Sequence, residues 1–231
     1  MTCHRRFLFL SLLALLACAP TLSASIAELA TFDEKVENAA TIVLGTCVST
    51  ESHWDAEHRW IVTFSTFQVE KVIKGSPGIS TLTIVTPGGS VGGLHQETIG
   101  VPAFHTGDER VLFVKMTKSG PTVLYFDQGT YGVRFEGGEK IIAPVSSKLV
   151  KIDAKGSAVT DDEPARTLSR FEGDVRESLR AIGDRKQKMD ALAGRKRQEE
   201  ASLWSVLSRN PLLVTLALVG LAFATWRLVR R

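Results

Sequence analysis

The middle of the chain, residues 41–145, is a succession of short runs rich in β-branched and aromatic residues. The longest run is WIVTFSTFQVEKVIK, in which apolar residues occupy both alternating sets of positions. Turn-forming residues separate neighbouring runs about every ten residues. Such spacing is typical of an all-β barrel or sandwich, and apolar groups on both faces are typical of a buried or curled strand. The sequence therefore predicts a mainly β fold, a small OB-like barrel with flanking helices.

The N-terminal segment, residues 1–24, has the composition of a secretory signal peptide. Arg5 and Arg6 precede an apolar run over residues 7–17, and small residues follow as far as Ala24. The run is too short to span a bilayer as a helix. We therefore expect this segment to direct export and then to be removed. An alternative is lipidation of Cys18, because Leu-Leu-Ala-Cys resembles a bacterial lipobox.

A second apolar segment lies near the C-terminus. Residues 211–229 contain a single charged residue, Arg227, next to an interfacial aromatic residue, Trp226. This composition predicts a short transmembrane helix that anchors the chain by a single pass in the inner (cytoplasmic) membrane. Together with the signal peptide, it places the body on the periplasmic or external side and leaves the C-terminus in the cytoplasm.

Three further parts lie between these ends. Residues 26–150 form the predicted β-barrel domain, beginning with a short amphipathic helix from Ile26. Residues 151–167 are polar and are predicted to be a linker. Residues 168–209 are predicted to form a helix that packs on the barrel and continues as a charged juxtamembrane stalk. Dimerisation of the stalk as a coiled coil is an alternative, because apolar residues recur at heptad positions.

The charge distribution argues against a nucleic-acid partner, and the cysteine content indicates a structural role for Cys47. The formal net charge is +3, and terminal arginines contribute much of it. The body has no basic face interleaved with aromatic residues, so no nucleic-acid partner is predicted. Cys47 is the one cysteine outside the predicted signal peptide. It lies in a strand-like run, and we expect it to be a buried apolar filler.

The most distinctive local feature is the glycine-rich stretch VTPGGSVGGLHQ, residues 85–96. It lacks the Lys-Ser/Thr pair of a phosphate-binding loop, and no helical period follows it, so neither that loop nor a dinucleotide fingerprint fits. One interpretation is a wide connection between strands, in which glycines supply positive φ angles. The other is a ligand- or partner-binding loop at the barrel rim. The candidate binding residues are Pro87, Gly88, Gly89, Gly92, Gly93 and His95.

The sequence contains no recognisable catalytic constellation. It has no G-x-S-x-G nucleophile motif, and no acid, base and nucleophile stand together. We therefore predict that the chain is not an enzyme and that it holds neither a cofactor nor a metal. The alternative is a metal-dependent enzyme that uses His53, Asp55 and His58, which lie close together in a polar connection.

Six stretches carry a family resemblance over residues 26–179: ENAATIVLGTCVST, FQVEKVIKG, TPGGSVGG, GVPAFHTGDERVLFV, DQGTYGVRF and LSRFEGDVRESL. In this order they resemble a family of uncharacterised exported bacterial proteins. The first two are also similar to the start of the netrin/tissue-inhibitor-of-metalloproteinases type of OB-like barrel, without the amino-terminal cysteine framework of those inhibitors. The resemblance implies an OB-like barrel and no particular activity.

These observations predict an exported, membrane-anchored, non-enzymatic binding or interaction module of the bacterial cell envelope. Its expected partners are the lipid bilayer, through the C-terminal helix, and an envelope protein. The alternatives are an inhibitor or accessory subunit of an envelope protease, which the inhibitor-type resemblance suggests, and the metal-dependent enzyme.

Overall fold

The structure is a computed structural model that describes residues 25–160, 163–209, 215 and 225–227. It divides into two units, Met1–Val175 and Arg176–Arg231. The predicted signal peptide, residues 1–24, lies outside the described residues, as does most of the predicted transmembrane segment, residues 211–229. Among the residues that are described, no helix combines the length and the apolar character needed to cross a membrane.

The first unit is mainly β, as the sequence predicts. In chain order, its elements are β1 (Ile26–Glu28), α1 (Phe32–Asn38), β2 (Thr41–Trp54), β3 (Ile61–Lys74), β4 (Thr81–Pro87), β5 (Gly89–Val91), β6 (Leu94–Gln96), β7 (Glu109–Thr117), β8 (Gly120–Val123), a 3₁₀ turn (Phe126–Gly129), β9 (Thr130–Glu136), β10 (Glu139–Pro144), β11 (Val150–Ile152), β12 (Ala158–Val159) and β13 (Arg166–Thr167). The long helix α2 (Leu168–Arg209) begins in this unit and ends in the second.

Most of the strands belong to one eight-stranded sheet. Its order is β13-β10-β9-β7-β2-β3-β4, with β8 also paired to β7. The longest ladder joins β2 to β3, which form a hairpin that turns at residues 55–60. Strands β5 and β6 form a separate two-stranded hairpin, and β1, β11 and β12 form a three-stranded sheet.

The eight-stranded sheet is open, whereas the sequence predicted a small OB-like barrel. The reason lies in β7, whose residues 114–117 pair with β8 while residues 110–112 pair with β9. The sheet therefore branches at β7. β8 comes close to β4, where Gly120 faces Val85, but no ladder joins these two strands in the part of the chain described. A barrel requires its first and last strands to be hydrogen-bonded to each other.

Residues 42–47 of β2 and residues 111–114 of β7 are buried on both faces, which explains the nearly continuous apolar runs there. On one face, Val43, Cys47 and Leu112 belong to a core cluster that also contains Phe67, Ile84, Phe104, Val114 and Val123. The other face packs against the two helices. There, the rings of Phe32, Phe113, Tyr131 and Phe171 contact one another with centroids 5.3 to 6.1 Å apart.

Helix α1 begins at Phe32, later than the apolar pattern from Ile26 predicted. Its start is fixed by a capping box, because Thr31 Oγ1 accepts a hydrogen bond from the Glu34 backbone N–H and the Glu34 carboxylate accepts one from the Thr31 N–H. The Thr31 backbone bond lowers the pKa of the Glu34 carboxyl. The residues before the cap form β1, in which Ile26 stands opposite Val150.

The polar residues 151–167, which the sequence analysis assigned to a linker, contain β12 and β13. β12 pairs with β11, and β13 pairs with β10, where Thr167 stands opposite Ile141. Helix α2 follows directly, and its Phe171 and Val175 are fully buried in the first unit. In the second unit the helix continues to Arg209, and Met189 and Leu192 are exposed there.

Candidate functional site

A cleft of about 570 Å³ opens on the first unit where the central sheet separates. β2 pairs with β7 only as far as Thr46, opposite Glu109. Beyond that point Cys47 exchanges backbone hydrogen bonds with Gly107 and Asp108, and the rest of β2 continues without β7. The cleft is lined by this outer part of β2, the β5–β6 hairpin, residues 97–105 and residues near the start of β7 and β9.

Eight hydroxyl-bearing residues contribute to the lining of the cleft. They are Thr50, Ser52, Thr63, Thr86, Ser90, Thr98, Thr130 and Ser146. A bulge at Val48 keeps Thr50 and Ser52 on the same face as the core residue Cys47, so the inner face of β2 changes from apolar to hydroxyl-bearing along the strand. Hydroxyls both donate and accept hydrogen bonds, so this surface suits a ligand with many uncharged polar groups.

The first two glycines of the glycine-rich stretch bring the chain close to this surface. A Cβ atom at Gly89 would lie 2.3 Å from Thr63 Oγ1 and 2.4 Å from Ser52 Oγ, and one at Gly88 would lie 2.8 Å from the Gln96 carbonyl oxygen. The φ angles of Gly88 and Gly89 are 100° and 133°. Both positions therefore require glycine, for the left-handed backbone and for the close contact.

The predicted binding residues fall into two groups. Pro87, Gly88, Gly89 and His95 line the cleft. Gly92 and Gly93 do not, because they form the tip of the β5–β6 hairpin, with open space where a Cβ atom would point. The glycine-rich stretch is thus both a connection between strands and one wall of the cleft.

His95 faces Ser90 directly across the hairpin, with Ser90 Oγ 2.9 Å from His95 Nδ1. Both side chains are exposed, and no carboxylate hydrogen-bonds to His95 among the described residues. The contact is therefore a cross-strand pair without the third member of a Ser-His-acid arrangement. Glu97 lies two residues after His95. A hydrogen bond from Lys148 lowers the pKa of the Glu97 carboxyl, and the positive charge of Lys148 lowers this pKa further.

The 3₁₀ turn supplies the opposite end of the cleft and has an unusual backbone. Tyr125 and Phe126 both have left-handed φ angles, 53° and 59°, which residues other than glycine rarely adopt. A Cβ atom at Gly129 would lie 2.2 Å from the Leu124 carbonyl oxygen. Strained residues of this kind persist only where the surrounding structure holds them, and they cluster at binding sites. The turn fixes the position of Asp127.

Three polar side chains surround this end of the cleft. Asp127 is 8% exposed, and its Oδ2 accepts a hydrogen bond from Ser147 Oγ at 2.7 Å. Arg110 is a quarter exposed and donates to Asp108 Oδ2 at 3.1 Å. Thr130 is 2% exposed, and its Oγ1 has no hydrogen-bond partner. An unsatisfied buried hydroxyl is unfavourable unless a ligand or water completes it.

Sequence reasoning did not single out Arg110, Asp127 or Thr130. They are brought together because Arg110 of β7 stands opposite Gly132 of β9, two residues beyond Thr130. One signal was available, since Asp127 and its neighbour Gln128 interrupt the otherwise apolar stretch between β8 and β9.

The histidines of the suggested metal site lie at the tip of the β2–β3 hairpin. His53 Nε2 is 3.5 Å from Glu51, the His58 ring stacks on Trp54, and Asp55 Oδ1 accepts the backbone N–H groups of the turn. Among the residues that the structure describes, no group of three or more His, Cys, Asp or Glu side chains is placed to hold a metal ion.

The cysteine predicted to be an apolar filler, Cys47, is buried in the core cluster. Burial raises the pKa of its thiol, and the nearby Asp108 charge raises it further. A thiol in this environment is a poor nucleophile because little of it is ionised.

Comparison with known proteins gives no match. No family model fits the chain, and no curated protein or solved structure is significantly similar to it.

Proposed function

We propose that the chain is an exported, membrane-anchored, non-enzymatic binding module of the bacterial cell envelope, and that the cleft receives its ligand. The location is supported by the sequence of residues 1–24, which has the features of a signal peptide, and of residues 211–229, which has those of a membrane anchor. The resemblance to exported bacterial proteins supports the same location. The body then faces the periplasm or exterior, and the C-terminus faces the cytoplasm.

The observation that carries the binding role is the open cleft of about 570 Å³, which is lined by hydroxyl-bearing residues from several strands. The buried Thr130 hydroxyl supports it, because this group has no hydrogen-bond partner within the described part of the chain and a ligand or water in the cleft would complete it. The strained turn before Asp127 supports the same conclusion, because backbone strain is a feature of sites held ready for a ligand.

The arrangement of the cleft favours binding over catalysis. Ser90 and His95 are the one nucleophile and base pair in contact there, and they lack an acidic partner among the described residues. No feature of the described residues favours protease inhibition or metal-dependent chemistry.

Crosslinking in intact cells, followed by affinity capture and mass spectrometry, tests this role. The intact chain is compared with a chain that lacks residues 90–93, the end of β5 and the hairpin tip, and with a control that carries Lys118→Ser in the turn after β7. We expect a specific envelope molecule that is captured by the intact chain and the control and lost with the deletion. Identical partners from all three chains would contradict the role of this wall.

A further inference from the structure

The outer part of β2 has a backbone edge with no strand beside it. β2 is bonded to β3 on one side as far as Trp54, but its pairing with β7 ends at Thr46. Cys47 uses its N–H and C=O groups on Gly107 and Asp108. From Ser49 to Trp54, no described segment is paired to the side of β2 that faces away from β3.

The register shows which backbone groups point out from this edge. Asp55 N–H donates to the Trp60 carbonyl, so the backbone groups of Asp55 point toward β3. Because this direction alternates along an antiparallel ladder, the backbone N–H and C=O groups of Trp54, Ser52 and Thr50 point away from β3. The hydrogen bonds of β3 support this direction. Ile61, opposite Trp54, accepts from Gly88 N–H and donates to Gln96 Oε1, so its backbone groups point away from β2. Nothing in the described part of the chain pairs with the outward N–H and C=O groups of Thr50, Ser52 and Trp54.

We propose that the ligand of the cleft is an extended segment of a partner polypeptide, which adds as a strand to β2 beside Thr50 and Ser52. This inference rests on the binding role proposed above and names the class of ligand. An extended peptide supplies N–H and C=O groups at the same spacing as the β2 edge, so it satisfies each outward group in turn.

The surroundings of the edge suit a peptide main chain. Thr50 and Ser52 line the cleft, and Thr50 is exposed, so the space beside them is open. The charged lining residues balance, with Arg110 and Lys148 against Glu97 and Asp127. A site of balanced charge with many hydroxyls fits an uncharged backbone better than an anionic polymer.

A saccharide is the other ligand rich in uncharged polar groups. It fits less well because a sugar ring packs its apolar face on an exposed aromatic ring, and Phe104, the one Phe, Tyr or Trp among the described lining residues, is only 7% exposed. The hydroxyl groups of a saccharide are also not spaced to match the outward backbone groups, which occur at every second residue of β2.

Selection from a library of random twelve-residue peptides, with the full chain in detergent micelles as target, tests the proposal. Selected peptides are remade with single N-methyl groups at each position, which remove one donor at a time. We expect methylation at alternate positions to weaken binding at least about tenfold, and methylation at intervening positions to be tolerated.

Two matched variants test the edge itself. Thr50→Pro removes an outward N–H and leaves the β2–β3 bonds in place, whereas Thr81→Pro makes the same change at the first residue of β4, outside the cleft. We expect Thr50→Pro to weaken peptide binding at least about tenfold and Thr81→Pro to leave it unchanged. Thermal unfolding of both variants checks that each remains folded.

Three results would overturn the peptide assignment. One is selected peptides that bind regardless of methylation and of Thr50→Pro. Another is no enrichment of peptides while oligomers of N-acetylglucosamine bind in a manner that depends on Thr130, which would leave the cleft as a saccharide site. In both cases the binding role stands. Failure of both probes, together with unchanged partners in the cell-crosslinking experiment, would remove the binding role as well.

Discussion

Lys35 Nζ lies 2.8 Å from Glu163 Oε2, and the two side chains are only 2% and 11% exposed. Tyr131 OH donates to the same carboxylate oxygen at 2.7 Å, and Arg166 Nη2 donates to Oε1 at 2.6 Å. The Arg166 guanidinium also lies over the Phe32 ring, 4.9 Å from its centroid. Through this buried network, helix α1 and strand β9 are joined to the polar segment that precedes α2.

Glu163→Gln should destabilise the first unit strongly. The substitution leaves the Lys35 ammonium buried without its counter-charge, and breaking a buried pair in this way lowers the free energy of unfolding by about 3–5 kcal/mol. Urea unfolding measures the effect. The control is Glu136→Gln, which breaks the exposed pair with Arg134 and should change stability by about 0–1 kcal/mol. Equal effects of the two substitutions would contradict the structural role of Glu163.

Gly89→Ala should disrupt the packing of the β5–β6 hairpin against β2 and β3. The new methyl group would meet the Ser52 and Thr63 hydroxyls at distances far below contact, at a backbone angle that alanine avoids. We expect a loss of more than about 2 kcal/mol in the free energy of unfolding. Gly92→Ala is the control, since it has a left-handed backbone but open space, and about 1 kcal/mol is expected. A smaller loss of unfolding free energy for Gly89→Ala than for Gly92→Ala would show that Gly89 does not pack closely against Ser52 and Thr63.

The capping box of α1 predicts a dependence of stability on pH. The pKa of Glu34 is lower in the folded chain than its ordinary value of 4.5, chiefly because of the Thr31 backbone hydrogen bond. The stabilisation by the carboxylate is therefore present above pH 4.5 and is lost as the pH falls through the lowered folded-state value. Glu34→Gln keeps a capping side chain without a charge. We expect the wild-type chain to be more stable than this variant at pH 7 and the difference to shrink below pH 4.5.

Chemical unfolding at several pH values provides the measurement for Glu34. A difference between the two chains that stays constant from pH 7 to pH 3 would contradict the assignment of the lowered pKa to this carboxyl.

Thr130→Val should stabilise the unliganded chain while it weakens ligand binding. The substitution replaces an unsatisfied buried hydroxyl by a methyl group of similar size, and we expect a gain of about 1 kcal/mol. Thr66→Val is the control, because Thr66 Oγ1 is hydrogen-bonded to Thr83 Oγ1 and its loss should lower stability by about 1 kcal/mol. Equal destabilisation by both substitutions would mean that Thr130 serves the fold and not a ligand.

Much of the strand content could be predicted from local patterns. The runs that became β2, β3, β4 and β7 are rich in β-branched residues and are bounded by turn signals, which reflect local preferences of the backbone. The glycine-rich stretch was also interpretable, because Gly88 and Gly89 are needed for local reasons of backbone angle and contact.

The open form of the sheet and the inner end of the cleft depend on long-range pairing, which no local pattern encodes. The change of partner along β7, from β9 to β8, decides that the sheet branches. The same pairing brings Arg110 close to Thr130 across some twenty residues of chain. The polar composition of residues 151–167 predicted a linker, and it does not reveal that Glu163 pairs with the buried Lys35.

Site-specific photocrosslinking in intact cells tests most directly whether the cleft is the binding site. A photoreactive amino acid replaces His105, an 83% exposed residue of the cleft lining, or Lys118, an exposed residue of the turn between β7 and β8. We predict a discrete crosslinked product from position 105 that is absent from position 118 and is reduced by Thr130→Val. Identical products from both positions, or none from position 105, would contradict the assignment of the cleft as the ligand site.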